Sequence, residues 1–198
     1  MKNNPLKIGI TGGIGSGKTV VSKIFSVLSV PVYDADTRAK WISNFHPEVK
    51  KEITALFGPE AYQDGKFNTR YIASIVFKEK EKTAQLNAIV HPRVGEDFEQ
   101  WAAQHNNFPY LLKEAALMYE SDSYKQMDKI IVVSAPLELR IKRILARDPQ
   151  RTEAEVRGII DKQMPEAEKL KRADFIIYND DQQLLIPQVV ALDKQFKL

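Results

Sequence analysis

Apolar positions along this chain follow two periods. Short runs of consecutive, often β-branched residues alternate with segments where apolar residues recur every three or four positions. Residues 7–11 read as a short buried strand. Over residues 18–28, Val21, Ile24, Phe25 and Leu28 fall on one helical stripe. A second strand is expected over residues 30–33, ending in Asp34-Ala35-Asp36. Residues 37–106 are mostly helical in pattern: TRAKWI, PEVKKEITALF, TRYIASIVF and a long charged-and-apolar run through Trp101. Gly58-Pro59 and Asp64-Gly65 punctuate this stretch as turns. Strand patterns return at residues 110–112, 130–133 and 175–178. PLELRIKRILAR, TEAEVRGIIDKQ and LLIPQVVALDKQF fill the spaces with helical spacing, the last carrying a proline that starts or kinks it. Strands alternating with helices predict an α/β fold around a parallel sheet, with the long helical stretch inserted between the second and third core strands.

Composition narrows the class. A single chain of 198 residues suits one domain of ordinary size, or one core carrying inserted subdomains. A chain this long buries roughly 70% of its unfolded surface and needs no disulfide or metal staple. It contains no cysteine, which excludes a disulfide framework and thiolate metal sites. The net charge of +3 is small and both signs are spread along the chain, so a nucleic-acid partner is not expected. There is no apolar run of about 18 residues and no signal-peptide core ahead of the first strand. A soluble, cytoplasmic protein is expected.

Four of the nine glycines lie within residues 12–17, directly after the first strand and before the first helix. Ordered glycine is entropically costly, so such a cluster marks backbone that must curl tightly. Gly12-Gly13-Ile14-Gly15-Ser16-Gly17-Lys18-Thr19 satisfies G-x-x-x-x-G-K-[ST], a phosphate loop. Its glycines let successive N–H groups converge on an anion, and the following helix adds its positive dipole end. Lys18 can reach the outer phosphates, and the Thr19 hydroxyl is placed to ligate Mg²⁺. The nucleotide-binding residues expected are Gly13, Ile14, Gly15, Ser16, Gly17, Lys18, Thr19 and Val20, with ATP and Mg²⁺ as cofactors.

A GTPase would carry N-K-x-D after a later strand; the nearest stretch, Tyr178-Asn179-Asp180-Asp181, lacks the lysine. A large motor needs more chain. A short P-loop domain with a helical insertion suits a small-molecule kinase. Phosphoryl transfer needs a group that orients the acceptor hydroxyl and takes its proton. Asp34 and Asp36 follow the second strand, where open α/β sheets place their ligands. In extended backbone the two carboxylates share a face, and in a helix they point apart. One serves the acceptor and the other serves Mg²⁺ or caps a helix; the residues alone leave the assignment open. Arg140, Arg143 and Arg147 lie at i, i+3 and i+7, a basic helix face beside Leu137, Ile141, Ile144 and Leu145. Such a row is a solvated face in most helices; next to a phosphate loop it becomes a candidate arginine lid.

Together these stretches resemble the dephospho-coenzyme A kinase family over almost the whole chain. The resemblance rests on IGITGGIGSGKT, YDADTRA, GKFNTRYIASIVF, LNAIVHPRV, MDKIIVVSAP and RIKRILARD. It continues through Gln163, Lys169, Ala173-Asp174 and Asn179. DAD and LNAIVHP are its most discriminating parts. It implies a P-loop NTPase fold and ATP-dependent phosphorylation of the ribose 3′-hydroxyl of dephospho-coenzyme A. It also implies that Asp36 is the base, that Asp34 supports the site, and that Arg70, His91 and Pro92 lie in the acceptor-binding insertion. Arg143 and Arg147 fall in the lid, and Asn179 flanks adenine. The implied division is a nucleotide-binding core at about 1–36, 107–136 and 173–198, an insertion at about 37–106 and a lid at about 137–172. A monomer or weak homo-oligomer is expected. The chain departs from the family after the third core strand, reading Ala115-Ala116-Leu117-Met118-Tyr119-Glu120 where Pro-Leu-Leu-Phe-Glu is usual. No aspartate ends an apolar strand as a second Mg²⁺ anchor, so Glu114 and Asp34 are the alternatives. A kinase of another small acceptor, such as a nucleoside monophosphate, and a nonenzymatic nucleotide-binding module are the rival readings.

Overall fold

The computed structural model describes residues 4–76 and 78–198. Phe77, the last residue of TRYIASIVF, lies outside the described residues, as do residues 1–3. The elements in chain order are β1 (Leu6–Thr11), α1 (Lys18–Val27), β2 (Val32–Asp34), α2 (Ala35–Phe45), α3 (Pro47–Phe57), β3 (Tyr62–Gln63), β4 (Lys66–Phe67) and α4 (Thr69–Val76). They continue with α5 (Lys80–Gln104), β5 (Tyr110–Glu114), β6 (Lys129–Ser134), α6 (Leu137–Arg147), α7 (Glu153–Ile160), α8 (Glu166–Lys171), β7 (Phe175–Tyr178) and α9 (Leu185–Phe196). The chain divides into two compact units, one of residues 1–34 and 102–198 and the other of residues 35–101.

The first unit is a five-stranded parallel sheet in the order β2-β5-β1-β6-β7. Parallel strands need long crossovers, which the helices supply while covering the faces. One face is sealed by α1 and α9: Ile8, Ile10, Leu112, Ile131, Val133 and Ile177 pack with Val21, Phe25, Val189 and Phe196. Tyr110 lies in this core with its hydroxyl donating to Asp193 at 2.7 Å, which together with burial holds the phenol well above its ordinary pKa. On the other face Gly9 leaves room for Met118 and Ile130, because a Cβ there would collide with both side chains. The chain passes from β1 outward to β2, returns to β5, then crosses β1 to reach β6. The C-terminal end of β1 is thus the switch point where open α/β sheets hold ligands.

The first strand, the first helix and the last three core strands lie where the pattern placed them. The second strand begins two residues later than expected, because the Val30 N–H donates to Phe25 O at 3.1 Å and so closes α1 instead. Pro187 falls in the first turn of α9, where a missing N–H costs no helical bond. Leu137, expected in the apolar stripe of α6, is 43% exposed, whereas Arg140, expected on the basic face, is only 4% exposed.

The second unit is α2, α3, the β3–β4 hairpin and α4, followed by α5 up to Trp101. The turn at Asp64-Gly65 joins the hairpin strands, with both residues at positive φ. Tyr62 donates to Ser43 O at 2.7 Å, and Asn44 Oδ1 accepts from Phe67 N at 2.9 Å, tying the hairpin to α2. Arg38 on α2 grips Asp97 on α5 with two hydrogen bonds and lies 4.6 Å over the Trp41 ring. Pro92 stands inside the 25-residue α5, so Ala88 O has no proline N–H to accept from at that turn. Among the described residues no helix is long and apolar enough to cross a membrane.

Candidate active site

The glycine loop joins β1 to α1 and owes its path to backbone angles that favour glycine. Gly12, Gly15 and Gly17 have φ of 155, 79 and 93°. Ser16 N donates to Gly13 O at 3.1 Å, closing a turn. Gly17 is the N-cap of α1, and a Cβ there would strike the Asn179 amide. No side chain caps α1 and no acid occupies its first turn; Lys18 stands there instead, the wrong sign for a helix N-terminus unless an anion is to bind. The Gly15 and Gly17 N–H groups donate to no protein acceptor among the described residues. The Ser16 hydroxyl is buried and has no hydrogen-bond partner among the described residues. Donors of this kind, in a glycine loop ahead of a helix start, are suited to a phosphate chain.

Lys18 Nζ donates to Gly12 O at 3.1 Å, which holds its charge across the loop. Thr19 donates from Oγ1 to Glu114 Oε1 at 2.8 Å. Glu114 ends β5, is 7% exposed and stands in register with Asp34 at the end of β2. The two acids therefore lie on neighbouring strands about 4.8 Å apart at the C-terminal edge of the sheet. A threonine hydroxyl and a buried carboxylate in contact form the hard oxygen donor set that Mg²⁺ takes, so the residues present fit that ion.

The expected arginine lid is divided by position along α6. Arg140 is buried against the loop: its Nε donates to Ile14 O at 3.0 Å, its Nη1 pairs with Glu166, and its guanidinium fills the space that a Cβ on Gly13 would need. Arg143 donates to Asn179 O at 3.0 Å and to Asp181 at 2.5 Å. Arg147 is exposed and paired with Asp148 at 2.8 Å. The hydrogen bond donated by Arg147 holds the Asp148 carboxyl below its ordinary pKa. Asn179 follows β7; its amide donates to Ser16 O at 2.8 Å, bracing the loop from behind. Val20 is 52% exposed on the first turn of α1.

Asp36, Arg70, His91 and Pro92 lie in the second unit. Asp36 is the second residue of α2 and is exposed. Arg70 is exposed in the first turn of α4, and His91 is half-buried immediately before Pro92 in α5. The helix boundary answers the question posed by Asp34-Ala35-Asp36: Asp34 ends a strand and Asp36 begins a helix, so neither limiting geometry applies to the pair.

Three accepting side chains were not legible from local pattern. Gln163 accepts from Ile14 N at 2.9 Å; Glu166 accepts from Ser134 Oγ at 2.5 Å and pairs with Arg140; Glu120 accepts from Met164 N at 2.7 Å and pairs with buried Lys169 at 2.9 Å. Burial opposes ionisation of Glu120, yet Lys169 and the Met164 N–H outweigh it and leave its pKa below the ordinary 4.5. A lowered folded-state pKa gives stability that is present in full above the unfolded value and lost as pH falls through the folded one. Glu120→Gln should therefore cost about 3 kcal/mol at neutral pH. Urea unfolding of both proteins should show the gap to wild type narrowing below about pH 4.5. A gap that widens in acid would exclude the ionised pair.

The dephospho-CoA kinase family model matches residues 6–184. A dephospho-CoA kinase of Bacteroides fragilis is 41% identical over 187 residues, covering 94% of this chain and 91% of the relative. The crystal structure of TT1252 from Thermus thermophilus superposes with a TM-score of 0.86 at 32% identity, covering 99% of each chain. Dephospho-CoA kinase from Campylobacter jejuni superposes with a TM-score of 0.71 at 27% identity, covering 96% of each chain. With the family's model spanning the loop, both core acids and α6, this chain belongs to the dephospho-CoA kinase family.

Proposed function

We propose that this protein transfers the terminal phosphoryl group of ATP to the ribose 3′-hydroxyl of dephospho-coenzyme A, giving coenzyme A and ADP, the final step of coenzyme A synthesis. Family membership supports the choice of acceptor. The structural observation that carries the chemistry is the uncapped, acid-free start of α1 behind a loop of three positive-φ glycines.

In this reading Gly13 to Val20 line the phosphates, Lys18 neutralises the outer ones, and Arg143 and Arg147 close over them as a lid. Thr19 and Glu114 would hold Mg²⁺, with Asp34 beside them by register. A bound Mg²⁺ supplies positive charge at the phosphate oxygens. Asn179, already seated behind Ser16, flanks the adenine. Asp36 takes the proton of the acceptor hydroxyl, Asp34 supports it, and Arg70, His91 and Pro92 bind the acceptor on the inserted helices. Residues of about 37–106 form the acceptor-binding part and about 137–172 the lid. Catalysis comes from positioning and charge neutralisation more than from covalent chemistry. The same reading makes this a cytoplasmic enzyme, a monomer or weak homo-oligomer, with no nucleic-acid partner.

A coupled ADP-release assay offering dephospho-coenzyme A beside a panel of nucleoside monophosphates tests the acceptor. Turnover is expected with dephospho-coenzyme A alone. Turnover of a monophosphate in its place would move the protein to another acceptor. Absence of a labelled product in a single turnover with any of them would make it a nonenzymatic nucleotide binder.

A further inference from the structure

We propose that Arg140, Glu166 and Gln163 form a clamp that sets the shape of the phosphate loop and, through it, the affinity for the nucleotide; the proposal rests on the reading of that loop as the ATP site. Ile14 sits at the bend of the loop, and both of its main-chain polar groups are held by side chains. Its N–H donates to Gln163 Oε1 at 2.9 Å, and its carbonyl accepts from Arg140 Nε at 3.0 Å. The peptide planes on either side of Ile14 are thereby fixed from outside the loop. Neither contact points its group at a ligand, so these are positioning residues.

The clamp is built to be rigid. Arg140 is 4% exposed, and its guanidinium has a second anchor in Glu166, which is itself held by Ser134 Oγ at 2.5 Å on the end of β6. The fork spans a carbonyl and a carboxylate at once, which a lysine ammonium on a flexible stem does less well. The neighbouring glycines complete the fit. A Cβ on Gly13 would occupy the guanidinium's place, and one on Gly15 would come within 2.6 Å of Arg140 O. Loop and helix therefore meet at Gly13 against the Arg140 side chain and at Gly15 against the helix backbone. Releasing Ile14 would let its two peptides rotate and scatter the N–H groups of Gly15 and Gly17, which must converge on one anion.

Titration calorimetry with MgATP on the full chain reads affinity with no acceptor present. Arg140→Lys keeps a cation for Glu166 but loses the second donor, and Gln163→Leu removes the acceptor for Ile14 N–H while leaving Arg140 in place. Each should raise the Kd for MgATP about tenfold or more, with an unfolding temperature within a few degrees of wild type. Deuterium exchange in residues 12–17 should quicken in both. A purely structural role would lower the unfolding temperature and leave Kd unmoved; Kd within about twofold of wild type in either folded variant overturns the clamp. Wild-type protein that binds MgATP but does not phosphorylate dephospho-coenzyme A sinks the acceptor assignment and leaves the clamp standing.

Discussion

Lys18→Ala is expected to lower kcat/KM by about 10³-fold or more while weakening MgATP binding in the same direction. The lysine opens α1, where a positive charge opposes the helix macrodipole, and its ammonium lies across the loop on Gly12 O at 3.1 Å. A residue that is unfavourable for the helix yet held over the anion-binding groups has its benefit in the ligand. Phosphates carry charge in both the ground state and the transition state, so removing the ammonium affects binding and turnover together. Stability offers a sign that separates this from damage to the fold. Removing the cation from the helix start relieves up to about 0.5 kcal/mol and the lost bond to Gly12 O costs about as much, so the variant should unfold within a few degrees of wild type. Lys23→Ala, an exposed lysine on the same helix, should behave as wild type in both assays. Steady-state kinetics with calorimetry checks the result, and a Lys18→Ala enzyme within tenfold of wild type would move the chemistry away from the loop.

The loop was legible because the residues that compose it are contiguous: an apolar strand, four glycines, a lysine and a threonine, then helical spacing. The core strands were legible for a related reason. Fully buried parallel strands carry near-continuous apolar runs, and residues 110–112, 130–133 and 175–178 each lie within an observed strand. The β3–β4 hairpin escaped because two residues a side are too few to show alternation, although its Asp64-Gly65 turn did read as one. The six-residue α8 escaped in the same way, being shorter than two turns.

What braces the loop was harder to see, since its parts are joined only by topology. Thr19 and Glu114 are 95 residues apart, Ile14 and Arg140 are 126 apart, and Ile14 and Gln163 are 149 apart. Helical spacing assigned Arg140, Arg143 and Arg147 to one face correctly, but spacing carries no information on what that face meets. It meets Gly13, whose missing side chain admits a guanidinium, and so the first arginine of the row is buried while the last stays in water. Glu114 stood in the sequence as one of two acids able to stand beside Thr19. Strand register put it there, with Asp34 on the next strand, so the two acids adjoin without substituting for each other.

That register also separates the two aspartates and frames the second large effect. Asp36→Asn should lower kcat by about 10²- to 10⁴-fold and leave MgATP affinity within about threefold of wild type. Asp34 ends β2 next to Glu114, on the sheet edge where Thr19 lies; Asp36 is past the boundary, exposed in the first turn of α2. An amide keeps the shape and one acceptor oxygen but cannot take a proton, so the substitution isolates proton transfer from contact. Asp34→Asn should act differently, raising the Mg²⁺ concentration needed for half-maximal rate, because its neighbours are the oxygens proposed to hold the ion. Measuring kcat for both variants across a Mg²⁺ series, with calorimetry for ATP, resolves the pair. If added Mg²⁺ restores Asp36→Asn and leaves Asp34→Asn inactive, the roles are exchanged, and the acid ending the strand is the one that faces the sugar hydroxyl.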